Sequence, residues 1–80
     1  MLADKEALLA EEISLRRLRR SMDITAALLS QADLTLNEAQ KLVAGAKRRA
    51  LELFPEKGET FDLIYGSRFR RILAERYHLQ

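Results

Sequence analysis

The stretch Thr35–Phe54, TLNEAQKLVAGAKRRALELF, decides the fold. Its apolar residues Leu36, Ala39, Val43, Ala46, Ala50 and Leu53 follow one another at spacings of 3, 4, 3, 4 and 3. That alternation is the seam of a helix lying lengthwise against another helix. Thr35 is placed to cap the helix, and Glu38 three residues on completes a capping box. Pro55 stops it, because a proline pushes the preceding residue out of helical backbone. The seam is built largely of alanine, which lets two helix axes approach closely. Leu42 and Phe54 widen the stripe. Gly45 falls on the outer side, where it costs about 1 kcal/mol relative to alanine.

Working outward, residues 3–30 read as a first helix, with Asp4 as its cap and Glu6 suited to its positive end. Ala7, Leu8, Leu15, Leu18, Met22, Ala26 and Leu29 form one stripe. Leu8, Leu15, Met22 and Leu29 recur at strict seven-residue intervals, and Glu11 falls within the same stripe. A second apolar set, Leu9, Ile13, Ile24 and Leu28, lies on the opposite side, divided by Arg16, Arg17 and Arg20. A surface helix needs only one apolar face. The second set therefore predicts a self-association face; the other readings are a break near Ser21-Met22-Asp23 and scattered exposure. Gln31–Leu34 is too short a connection for anything but an antiparallel return, and Leu34 is placed to staple onto the next helix start.

Downstream, Pro55–Glu59 is a turn, with Gly58 expected to supply positive φ. Thr60 is expected to cap a third helix, with Asp62 in its first turn. Phe61, Tyr65, Phe69, Ile72, Leu73 and Tyr77 follow helical spacing, so this helix closes the core with aromatic rings. Gly66-Ser67 interrupts it; a continuous or gently kinked helix is preferred over a break with Ser67 as a new cap. His78-Leu79-Gln80 is expected to fray. Neither strand alternation nor a long repeat is present. The expected fold is an all-α, small antiparallel three-helix domain, helices about 4–30, 36–54 and 60–77, that self-associates.

Eighty residues make one domain with a marginal core. The chain has no cysteine, which excludes disulfides and thiolate metal sites, and one histidine, His78. That leaves self-association as the supplement to the core. Apolar residues make up 48% and charged residues 32%, and 14 Lys+Arg against 12 Asp+Glu leave a net charge of +2, so the basic character resides in arginine clusters rather than in a large excess. The opening MLADKEALLAEE is acidic where a secretory leader is basic. The longest uncharged run, Ile24–Ala32, has nine residues, where a membrane span needs about 20. The expectation is a soluble, cytoplasmic protein that uses no membrane.

Chemistry is sparse. One histidine and scattered carboxylates do not make a metal site. The serines (14, 21, 30 and 67) lack a base; Ser21, Ser30 and Ser67 are better read as helix-end or turn residues. The carboxylates Glu11-Glu12 and Glu56/Glu59/Asp62 read as solvated, and the three glycines have no phosphate-cradling spacing. No enzyme, cofactor or metal is expected. The expected function is a helical interaction module that binds itself or another protein through helix faces. The alternative is nucleic-acid binding, with Arg16, Arg17, Arg20, Lys47, Arg48, Arg68 and Arg71 on the phosphate backbone. Against it, each basic cluster spans more than half of its helix circumference. Acidic residues are also interleaved, and Arg71 and Glu75 have i,i+4 pairing distance. A DNA-binding helix-turn-helix over Ile24–Arg49 fits less well, because the turn lacks glycine and the seven-residue spacings predict shallow packing.

Overall fold

The structure, a computed structural model, describes residues 2–78. It is all-α: α1 spans Leu2–Gln31 and α2 spans Leu36–Leu53. The third helix, α3, joins α-helical Gly58–Phe61, a π-helical turn Asp62–Gly66 and α-helical Ser67–Tyr77. Backbone angles stay right-handed helical at Phe61, Gly66 and Ser67, so α3 is one continuous rod. No strand occurs among the described residues.

Local chemistry explains the boundaries. Thr35 Oγ1 accepts from the Glu38 amide at 3.1 Å, and Glu38 Oε1 accepts from the Thr35 amide at 3.0 Å, which is the expected capping box. Those bonds from the Thr35 backbone and side chain hold the Glu38 carboxyl below its ordinary pKa, because they favour the ionised form. Phe54, before Pro55, leaves helical backbone at φ −136. At the far end His78 ends α3 in left-handed backbone, φ 55; the fraying expected of Leu79 and Gln80 lies outside the described residues. At the C-terminus of α1 no basic residue of its own last turn meets the exposed carbonyls. Arg76 of α3 supplies that charge, donating to the carbonyls of Leu29 and Ala32.

Several expected boundaries shift. Asp4 lies in the first turn of α1 rather than capping it. Gly58 has no positive φ; it starts α3, so Thr60 lies inside the helix instead of capping it. Ser67 does not cap a new helix. Its Oγ donates to the Leu63 carbonyl at 2.7 Å within the π turn. Ser21 is likewise mid-helix, and α1 does not break there. The π turn has a packing reason. Phe61, Tyr65 and Phe69 are four apart, and in an α-helix each such step drifts about 40°. The wider π turn takes up drift, and the three rings cluster with centroids 5.8–6.4 Å apart.

α2 returns antiparallel to α1, and α3 returns again. Arg49 reaches Ser21 Oγ at 3.2 Å, and Tyr77 Oη donates to the Leu34 carbonyl at 2.6 Å. The core is Leu18, Met22, Ala26 and Leu29 from α1, Ala39, Ala46 and Ala50 from α2, and Phe61, Phe69 and Leu73 from α3. The small-residue seam of α2 is therefore buried as the spacing predicts. Leu53 is not part of it; it is exposed, and Phe54 is half-buried beside it. Thr25, the one buried polar residue of the described core, donates to the Ser21 carbonyl at 2.9 Å.

Gly45 is half-buried. A Cβ there would meet only the end of Arg48, at 3.7 Å. Gly45→Ala is therefore expected to raise stability by about 0.5–1 kcal/mol through helix propensity. Chemical denaturation checks this; a loss of stability would mean that the glycine is held by a contact.

Candidate functional site

α1 has 30 residues against 18 in α2. At 1.5 Å per residue the difference leaves about 18 Å of helix without a neighbour. The molecule is accordingly elongated, 52 × 22 × 15 Å. The seven-residue stripe of α1 divides at this point. Met22 and Leu29 are fully buried, whereas Leu8 is 67% exposed and Leu15 38%. Leu8, Leu15 and Ala7 were expected in the intramolecular core, and all three are exposed. The periodicity identifies the buried face from Leu18 to Leu29; over Ala7, Leu8 and Leu15 the expected burial within the chain does not occur.

The expected self-association residues Leu9, Ile13, Ile24 and Leu28 are all exposed. They occupy two places. Ile24 and Leu28 line a groove between α1 and α2 with Leu42, rimmed by Arg17, Arg20 and Arg49. Leu9 and Ile13 belong to the uncovered first half of α1. The 11 residues from Ile13 to Ile24 amount to about 16 Å along the helix.

A second concavity, about 260 Å³, opens where α1 emerges from the bundle. Leu15, Leu18, Phe54, Phe61, Ile64 and Tyr65 line it, with Glu11, Arg19, Lys57 and Thr60 also on its walls. Leu63 and Ile64, on the π turn, are both exposed, and Ile64 lines the cleft. Sequence reasoning missed this cleft. The signal that finds it is the length mismatch between the helices, together with two adjacent large apolar residues after Asp62.

The basic residues named for nucleic acid do not share one face. Arg16 pairs with Glu12 at 2.8 Å. Lys47 pairs with Asp62 at 2.9 Å and Arg68 with Asp23 at 3.5 Å. Arg17 and Arg20 stand at the α1–α2 groove, joined there by Arg49, which had not been singled out. Arg48 and Arg71 are exposed. The expected Arg71–Glu75 ion pair does not form; the ion pairs among the described residues are the three just given. No helix of the described residues is long and apolar enough to cross a membrane, and no group of three or more metal-ligating side chains occurs among them. Comparison with protein-family models, curated proteins and solved structures returns no match to this chain.

Proposed function

We propose that this chain is a non-enzymatic helical interaction module that binds protein, first of all a second copy of itself, through the uncovered faces of α1. The observation that carries the reading is the apolar stripe of α1 running out of the bundle with Leu8 and Leu15 in water. An exposed apolar stripe continuous with a core marks an interaction surface more often than a solvated one. A three-helix core in which four of the ten buried apolar residues are alanine also gains from burial supplied by a partner. On this reading the chain works in the cytoplasm; its lack of cysteine fits a reducing compartment.

Sedimentation over a wide concentration range tests the proposal. A mass rising from one chain to a defined oligomer is expected, and a folded monomer at every concentration contradicts self-association. A second reading, nucleic-acid binding, draws on the convergence of Arg17, Arg20 and Arg49 at one groove. It requires a mobility shift with mixed DNA or RNA at low salt that fades steeply as salt rises.

A further inference from the structure

Resting on the reading of α1 as a protein-binding helix, we infer what the groove between α1 and α2 docks: an amphipathic helix of another protein, acidic at one end and apolar along the rest.

The groove has two unlike ends. Arg49 of α2 donates to Ser21 Oγ of α1 at 3.2 Å. With the two helices antiparallel, that pair sets the level of the others. Leu42, seven residues before Arg49, comes opposite Leu28, seven residues after Ser21. Leu28 and Leu42 line both the groove and the hollow that continues it past Ala32 and Leu34. Arg17 and Arg20 stand at the Arg49 end. Charge is therefore gathered at one end and apolar surface at the other. Ile24, between them, is 55% exposed and Leu28 42%. From Arg17 to Ala32 the trough runs about 22 Å, roughly four turns of helix.

Charge narrows the occupant first. Three arginines line the groove and no aspartate or glutamate does. Among the described residues none of the three pairs with a carboxylate. The hydroxyls there are already engaged, Ser21 accepting from Arg49 and Thr25 donating to the Ser21 carbonyl. What remains for a ligand is guanidinium donors, which carboxylate or phosphate meets. The apolar end decides between the two. A phosphate backbone gives Ile24, Leu28 and Leu42 nothing to bury against, whereas a helix with apolar residues at i, i+4 and i+7 covers them while its acidic end reaches the arginines. Shape agrees. No residue of α3 lines the groove, and a trough between two antiparallel helices takes a further rod as the fourth member of a bundle. The chain's own acidic segment, Asp4 to Glu12, makes a poorer occupant. Seated in the groove of a second copy it forms a heterologous contact, which propagates from copy to copy unless a ring closes.

The probe is a fluorescent, alanine-based peptide of about 15 residues, with glutamates in its first turns and leucines at i, i+4 and i+7 after them. Anisotropy with the full chain is expected to show saturable binding. Changing the glutamates to lysines should weaken it at least about tenfold, as should Arg17→Glu with Arg20→Glu in the chain. The lysine peptide should then bind the charge-reversed chain better than wild type. Both arginines are exposed, so helicity should not change. Ile24→Ser, also at an exposed position, should weaken binding about threefold or more. Absence of binding, binding unchanged by the charge reversal, or loss through Arg19→Glu on the other cleft instead, overturns the inference. Mixed-sequence duplex DNA that binds through Arg17 and Arg20, indifferent to Ile24→Ser, while the peptide does not bind, gives the groove to the phosphate backbone. A ladder of oligomers dissolved by the charge reversal gives it to a second copy. A defined oligomer that binds no peptide refutes the inference and leaves self-association intact; a monomer that binds no peptide refutes both.

Discussion

Phe69→Ala is expected to cost about 3–5 kcal/mol, the range for a fully buried phenylalanine. Phe69 has no exposed surface and is among the largest fully buried side chains of the described residues. Its ring stacks on Tyr65 at 6.4 Å and lies tilted to Phe61 at 6.3 Å, so its loss also removes two aromatic contacts. The cavity would open where α3 closes over the α1–α2 hairpin, and neighbouring alanines are too short to fill it. Domains of this size have about 5–10 kcal/mol in hand. The variant should therefore show a strongly lowered urea midpoint or no cooperative transition at 25 °C. A loss below about 1 kcal/mol would mean that α3 does not seal the core.

Ala39→Leu tests the seam itself. Ala39 is completely buried on the face of α2 that meets α1. A leucine there adds three carbons at a position with no exposed surface, and overpacking of this kind costs about 1–3 kcal/mol or more. Leucine and alanine have similar helix propensity, so propensity contributes little. Ala44→Leu, on the exposed side of the same helix, is the control and should change stability by less than about 0.5 kcal/mol. Equal costs at the two positions would show that small residues are not required along this seam.

The parts of the fold that were legible in the sequence are those fixed by local chemistry. Thr35 and Glu38 are three residues apart, and their reciprocal bonds form whatever lies elsewhere. Pro55 acts on its own neighbour. The alanine seam and the ring-bearing third helix followed from spacing alone. Gly58 and Thr60 were misread because turn and cap residues are permissive. A glycine can take positive φ, but here the chain turns through Pro55–Lys57 and enters the helix early.

The candidate site was half legible. Leu9, Ile13, Ile24 and Leu28 stand exposed as the two-faced pattern implied. Leu8 and Leu15 obey the same rule as Met22 and Leu29, and a periodicity states which face is apolar without stating what covers it. Coverage depends on the lengths of the neighbouring helices, a comparison between distant segments. The ion pairs Lys47–Asp62 and Arg68–Asp23 join residues 15 and 45 apart, so no local pattern could have shown that those two basic side chains already have partners.

The central claim is that the first half of α1 lies outside the core of a single chain and is covered only on assembly. Amide hydrogen exchange measured against protein concentration tests it directly. An isolated helix of a dozen residues is marginal in water. In dilute protein the amides of residues 5–14 should therefore exchange quickly while those of Met22–Leu29 stay protected, and the first group should slow as concentration rises. Strong protection of residues 5–14 already in the dilute monomer, or none at any concentration, would contradict the account.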